Sequence, residues 1–557
     1  MRLAPGVDQL AGYQRSLVRG DVLAGVTVAA YLVPQVMAYA GVAGLPPSAG
    51  LWAAVPAIVA YALLGSSKQL SIGPESTTAL LAAAAIAPLA HGDPGRYALL
   101  MAGLAILVGG MCLLAWLARL GFVADLLSRP VLVGYMAGVA VIMIVGQIRR
   151  ITAIPTHGTR LFSQLDSAAR DLGAVHWPTL CLAMGTLAFL FAVQAWFPRL
   201  PGPLLAVSLA AVVVAALGLK SHGISVVGTI PSGLPVPDLP SVSLADIRDL
   251  LLPAVGIAVV GFTDNVLTAR AFADREKQSV DATQELLALG IANVGAGLVR
   301  GFPVSSSGSR TALGVAAGSR TQVYSLVSLG VLVLVLVFGG GLLATFPDAA
   351  LGALIVYAAT RLIDIGEFKR IVRFRRSEFV LALAAVAGVL VMNILYGVLF
   401  AVGLSVADLL RRVARPHDAV LGQVSGVAGM HDVDDYPGAQ TIPGLVVYRY
   451  DSPLFFANAE DFKRRAMDVV TSSDHPSWVV LNVEANVEVD ITGLDALEWL
   501  RAELERRGIV LAMARVKQDL LDDLEAYGLA ATIGHDRLYP TLPTAVAAYR
   551  EWAAQHH

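Results

Sequence analysis

Charge is what this 557-residue chain has least of. Only 15% of its residues are Asp, Glu, Lys or Arg, where soluble domains carry about 25%. Cysteine is nearly absent: Cys112 and Cys181 both sit in apolar runs, which gives neither a disulfide framework nor a metal spacing. With a net charge of −2 there is no basic surface to hold nucleic acid, and a chain this apolar is not disordered. No nucleophile–base pair, Walker loop or metal cluster is spelled out. The reading is therefore not an enzyme and needs no cofactor. The first 20 residues contain Arg2, Arg15 and Arg19 but no apolar core, so no cleavable signal peptide is evident. What the chain has is hydrophobicity: 56% apolar residues and a mean hydropathy of +0.67. That is the composition of a polytopic α-helical membrane protein.

From Val22 to about Val413, apolar stretches of bilayer-spanning length follow one another. Their centres fall near residues 30, 56, 82, 107, 139, 187, 210, 260, 289, 312, 333, 355, 386 and 404. The count is 12–14, with the third and tenth short and interrupted. Fourteen crossings place both ends on one side. On that side Lys and Arg number 20, including the cluster Arg361, Lys369, Arg370, Arg373, Arg375 and Arg376; the other side has 8, among them Arg149 and Arg150. The bias predicts a cell-membrane protein with cytoplasmic termini. Residues Lys220 to Asp249 break the pattern with four prolines from Pro231 to Pro240, dividing the segments seven and seven. Seven is odd, so the halves face opposite ways, the arithmetic of an inverted-repeat transporter. The expected domains are a segment 1–20, a transmembrane domain 21–415 (repeats about 21–220 and 248–415) and a soluble tail 416–557.

An ionisable group inside a span is a functional candidate by default. Glu75, Asp264 and Arg310 stand out. Segment three opens Ser71-Ile72-Gly73-Pro74-Glu75-Ser76-Thr77; segment ten opens Gly301-Phe302-Pro303-Val304-Ser305-Ser306-Ser307-Gly308-Ser309-Arg310. Both place a proline before a run of hydroxyls, and both are third of seven. Matched interruptions point to a transporter's binding site. A helix starting in mid-membrane presents unpaired N–H groups and a positive dipole end. Ser76, Thr77, Ser305, Ser306, Ser307 and Ser309 add donors, and Arg310 adds a charge able to grip an oxyanion bidentately. The competing readings are close helix packing for the serines and an ion pair with Asp264 for Arg310. Asp264 is the candidate for coupling to H⁺ or Na⁺; its alternative is a salt bridge that fixes the helix. Glu75 is a second coupling and binding candidate, with helix capping as its alternative. Gln35 and Tyr39, four apart after Pro34, share a helical face.

After Arg415 the texture changes. Strands at Leu445–Tyr450, Trp478–Val483 and Ile509–Met513 alternate with helices at Ala459–Val470, Leu494–Arg507, Asp519–Tyr527 and Thr541–Trp552, the pattern of a small α/β domain. Pro416–Pro443 reads as a linker or an edge strand. Residues 1–415 hold 29 Lys/Arg and 20 Asp/Glu, a net +9; residues 416–557 hold 11 and 22, a net −11.

Several motifs together resemble the SulP anion transporters, the sulfate permeases and their animal anion-exchanger relatives. They are Gly20-Asp21-Val22-Leu23-Ala24-Gly25, Val33-Pro34-Gln35 with Ala38-Tyr39-Ala40, Ala43-Gly44-Leu45-Pro46-Pro47, Ser71-Ile72-Gly73-Pro74 and Pro303 to Ala312. The tail resembles the STAS domain that ends most members. The resemblance implies two inverted seven-segment repeats, in which a core (segments 1–4 and 8–11) moves against a gate (5–7 and 12–14), with a cytoplasmic STAS domain. It implies that Gln35, Tyr39, Ser309 and Arg310 line an anion site, that Asp264 is the acidic coupling position, and that a homodimer forms. The expected function is secondary active transport of a small oxyanion, sulfate first, coupled to H⁺ or Na⁺. Bicarbonate, a fumarate-like dicarboxylate and an uncoupled channel are the alternatives. A nucleobase symporter shares the repeat plan, but Arg310 argues against it. In the tail, Asp490-Ile491-Thr492-Gly493 resembles a phosphate-accepting loop, which makes Thr492 a regulatory candidate and a cytoplasmic regulator an expected partner. Capping is the favoured reading, with Thr492-Gly493-Leu494-Asp495 as a capping box.

Overall fold

A computed structural model describes the whole chain except residues 1–3, 126–127, 156–160, 198–199, 230–232, 274–278, 393, 487 and 557. Arg2 and Pro231, named above, and Arg160, Arg199, Arg275 and Lys277, counted among the Lys and Arg of the two sides, lie outside the described residues. The chain divides into two compact units, Met1–Ser405 and Val406–His557.

Every one of the fourteen expected centres falls within a helix. In chain order these are α1 (Val18–Val42), α2 (Pro47–Leu64), α3 (Ser76–Ile86), α4 (Pro94–Leu117), α5 (Arg129–Gly146), α6 (Trp177–Trp196), α7 (Gly202–Ala216), α8 (Leu244–Ala273), α9 (Ala282–Leu298), α10 (Gly308–Ala316), α11 (Val323–Phe338), α12 (Asp348–Thr360), α13 (Arg376–Met392) and α14 (Ile394–Ala414). Among the described residues seven helical stretches are long and apolar enough to cross a membrane, and α3, α7 and α11 are shorter apolar helices. Prolines in the first turn start α2, α4, α5, α6 and α7, where a missing N–H costs nothing. Asp281 starts α9 by accepting the amides of Thr283 and Gln284 at 2.9 and 3.1 Å.

The packing pairs carry the internal symmetry. Numbering each helix against the one seven later, α4 on α9 matches α2 on α11. Likewise α1 on α11 matches α4 on α8, α6 on α12 matches α5 on α13, and α1 on α10 matches α3 on α8. Helices α1–α4 and α8–α11 form one group and α5–α7 with α12–α13 another; α1 touches the second group through α7 and α12. Small residues let the backbones close in: a Cβ on Gly134 of α5 would lie 2.0 Å from the Ala382 carbonyl of α13.

The second unit is a six-stranded sheet. Its strands are β3 (Asp418–Gln423), β4 (Met430–Asp432), β5 (Leu445–Tyr450), β6 (Trp478–Asn482), β7 (Val510–Ala514) and β8 (Leu538–Tyr539), in spatial order β4-β3-β5-β6-β7-β8. Strands β5 to β8 are parallel, and β3 is antiparallel to both neighbours. Pro416–Pro443 is therefore an edge hairpin, not a linker. Helices α15 (Ala459–Ser472), α16 (Ile491–Arg506), α17 (Gln518–Tyr527) and α18 (Leu529–Ile533) cover one face, and α19 (Leu542–His556) covers the other. At the edge, the Tyr448 hydroxyl donates to Asp418 at 2.8 Å. Burial, with that carboxylate beside it, raises the phenol above its ordinary pKa.

Candidate functional site

Two short strands, β1 (Ile72–Gly73) and β2 (Ser305–Ser306), pair antiparallel, Ile72 against Ser306 and Gly73 against Ser305. Each feeds a short helix, β1 into α3 and β2 into α10. These helices have 11 and 9 residues, roughly 16 and 14 Å, about half the hydrocarbon thickness of ~30 Å. The strand pair thus brings the two half-helix starts together, as an inverted repeat requires.

The two starts differ. At α3, Glu75 is the N-cap: its carboxylate accepts the Thr77 amide at 2.6 Å and the Ser76 hydroxyl at 2.5 Å. That helix end already carries its own anion. At α10 the cap is the neutral Ser307, which receives the Arg310 amide at 3.4 Å. Ser309 is exposed there, whereas Ser305, Ser306 and Ser307 are buried.

Arg310 is wholly buried, at 0% exposure. Its guanidinium donates from Nε to the Ser71 hydroxyl at 3.2 Å, and from Nη1 to Gln35 Oε1 at 3.1 Å and the Pro74 carbonyl at 2.9 Å. All three acceptors are neutral. Nη2 is buried and has no hydrogen-bond partner; it lies over Gly73, where a Cβ would come to 3.4 Å from it. Gln35 in turn donates to Tyr39 at 2.9 Å and reaches Ser309 at 3.5 Å. Gln35, Tyr39, Ser309 and Arg310 therefore form one connected group. The expected alternative, an Arg310–Asp264 ion pair, is not formed. Asp264, on α8, accepts the Ser306 hydroxyl at 2.9 Å. Among the described residues no carboxylate forms an ion pair with Arg310; Glu75, next to Pro74, is the carboxylate whose charge acts on it. A buried cation with only neutral partners is costly, and the arrangement suits an incoming anion.

The sulfate permease family model matches residues 18–385, and the STAS domain model matches 436–545. The chain belongs to the sulfate permease family. It is 62% identical over 548 residues to a "Probable sulfate transporter" of Mycobacterium tuberculosis, covering 98% of each chain. It is 29% identical to "Sulfate transporter 1.3" of Arabidopsis thaliana, covering 97% of this chain and 86% of that one. Among solved structures, murine Solute Carrier 26 family member A9, described as an anion transporter in the inward-facing state, superposes with a TM-score of 0.90 at 23% identity, over 99% of this chain and 94% of that one. The transmembrane domain of the cyanobacterial bicarbonate transporter BicA gives 0.61 at 23% identity, over 71% and 98%. At these identities both report fold.

The permease-family chain also contains polar features that the sequence reading missed. Glu285 is wholly buried in α9, and its carboxylate accepts the Tyr61 hydroxyl at 3.0 Å, the Ser66 amide at 2.9 Å, the Ser66 hydroxyl at 2.7 Å and Asn265 Nδ2 at 2.7 Å. It lies in the first turn of α9, four residues after the cap Asp281, a position where acids are common on exposed helix starts. Asp21, in the Gly20-Asp21 motif, is buried too. It accepts the amides of Arg320 and Thr321 at 2.7 and 3.2 Å and the Thr321 hydroxyl at 2.7 Å, tying α1 to the turn before α11.

A cavity of about 230 Å³ reaches the start of α10, with Tyr31, Gln194, Ser309, Tyr357 and Arg361 in its wall. At the other end of α12, Arg150 packs against Gly41 of α1 and Gly352 of α12: a Cβ on Gly41 would lie 2.2 Å from Arg150 Nη2.

In the second unit, Thr492 is not a cap. Asp490 is the N-cap of α16, accepting the Gly493 amide at 2.8 Å and the Phe456 amide at 2.9 Å. Asp495, assigned above to a capping box, instead accepts the Tyr527 hydroxyl at 2.5 Å. The carboxylate wins because it can accept two amides at once, leaving Thr492 exposed.

Proposed function

We propose that the protein is a secondary active transporter of a small oxyanion, sulfate first, working by alternating access with H⁺ or Na⁺ coupling. The observation that carries this is Arg310: a buried cation whose hydrogen-bond partners are neutral and whose Nη2 is unpaired, at a helix start whose cap is neutral. An anion supplies the missing countercharge, and the dipole end of α10 adds to it. Ser309, Gln35 and Tyr39 offer its hydrogen bonds. The sulfate transporters among its relatives support the substrate.

Asp264 is the coupling residue in this reading. It is linked to the site through Ser306 of β2, so protonation or Na⁺ binding there would be felt at the strand that positions α10. Glu75 is the second coupling candidate. Its carboxylate caps α3, so α10 is the half-helix that meets the anion. Alternating access is supported by the cavity at the Arg361 end of α12 and the packing of Arg150 against Gly41 and Gly352 at the other end. The 20-to-8 bias of Lys and Arg supports a cytoplasmic placement of the Arg361 end and of both termini. The exposed Thr492 hydroxyl is open to a cytoplasmic regulator.

The test is a panel of radiolabelled anions, namely sulfate, bicarbonate, fumarate and chloride, in proteoliposomes, with and without Na⁺ and at two pH values. Gradient-dependent accumulation of sulfate is expected, and loss of the gradient dependence in Asp264→Asn. Uptake that only equilibrates anions would make the protein a channel; preference for another anion would replace the substrate.

A further inference from the structure

The cavity beside α10 contains more than a passage needs. It lies where α1, α6, α7, α10 and α12 meet, and its wall carries an arginine that neither the sequence motifs nor the Arg310 network uses. Arg361 follows the last residue of α12 and is exposed. It takes part in no ion pair or hydrogen bond among the described residues. Tyr357, one turn earlier on the same face, donates to Gln194 of α6 at 3.0 Å. This bond occupies the carboxamide oxygen of Gln194, a residue of the cavity wall whose Nε2 makes no hydrogen bond among the described residues. Tyr31 of α1 and Ser309 of α10 complete the polar wall. The remaining lining is apolar, with Leu190, Val193, Phe197 and Leu313, so charge at Arg361 is screened less than at an open surface.

We propose that this cavity is a second anion subsite, in which Arg361, Gln194 and Tyr31 hold the oxyanion before it passes Ser309 to Arg310. The proposal rests on the oxyanion reading above and deepens it. The chemistry is complementary to a small tetrahedral dianion: one guanidinium, a carboxamide N–H pair and the phenolic hydroxyl of Tyr31. About 230 Å³ accommodates the anion with several of its waters. Retained waters and an exposed arginine make this the weaker of the two sites, as an entry site must be if the anion is to move on.

The experiment is calorimetric titration of the purified full chain with sodium sulfate, on wild type, Arg361→Gln, Arg361→Lys and Arg310→Ala. Wild type is expected to take two anions. Arg361→Gln is expected to weaken the weaker event on the order of tenfold and leave the tighter one unchanged, which also shows that the variant is folded. Arg361→Lys keeps most of the weaker event, and added NaCl lowers its affinity more than that of the tighter one. Arg310→Ala removes the tighter event alone. A single anion per chain in wild type, or an isotherm of Arg361→Gln that matches wild type, overturns the second subsite. Failure of the oxyanion reading shows differently, as Arg310→Ala leaving the tighter event in place.

Discussion

At the scale of single residues, function and stability are written in buried charge. Arg310 and Asp264 could be found in the sequence because each interrupts an apolar run, and nothing but function or pairing keeps a charge there. Their partners could not be found. Arg310 bonds to Gln35, Ser71 and Pro74, which come from two other segments. Glu285 sits in a first turn, where acids are common on exposed helix starts, yet it is wholly buried with four donor groups on it. Glu285→Gln presents an N–H₂ to groups that are themselves donors. We expect a loss of about 1–3 kcal/mol, seen as a lower thermal midpoint in detergent, with sulfate affinity unchanged. A midpoint equal to wild type would mean the carboxylate is not holding α2, α8 and α9 together. The Gly20-Asp21 motif has a comparable structural job, clamping the turn before α11.

At the scale of elements, helix positions were legible and helix relations were not. Apolarity placed all fourteen helices, whereas among the described residues only seven stretches also have the length a bilayer demands. Proline followed by hydroxyls marked the half-helices, and the β1–β2 pair that joins them follows from inverted symmetry. The unequal caps were hidden, because Glu75 and Ser307 read alike as polar helix starts. The packing at the Arg150 end was hidden as well: it needs Gly41 and Gly352, small residues that look like ordinary packing. Gly41→Ala puts a methyl where the Arg150 guanidinium sits, and the guanidinium must shift. Overpacking of this kind costs about 1–3 kcal/mol, which falls on the closed state of that end. With Cys112 and Cys181 replaced by serine, an impermeant maleimide is expected to label Val42→Cys faster when Gly41→Ala is also present. Equal labelling rates would show that Arg150 does not close that end.

At the scale of the whole molecule, the near-zero net charge conceals a division: +9 over residues 1–415 and −11 over 416–557. The second unit has its own sheet and its own cores on both faces, and the residues of the proposed anion site all belong to the first. Removal of residues 416–557 is therefore expected to lower sulfate flux without changing the half-saturating concentration. A shifted half-saturation with unchanged protein amount would place part of the site's control in the second unit. Its fold was readable from strand and helix alternation; Pro416–Pro443 was open between a linker and an edge strand, and its pairing as the hairpin β3–β4 and the Asp490 cap were not readable, since both depend on contacts across the chain. The central claim, that Arg310 at the start of α10 holds the transported anion, is tested most directly by the concentration dependence of radiolabelled sulfate uptake in proteoliposomes of wild type and Arg310→Ala at equal protein. Loss of a buried partner to a charged ligand costs about 2–5 kcal/mol, so half-saturation should rise by about a hundredfold or saturation should vanish; an unchanged half-saturating concentration in Arg310→Ala would contradict the account.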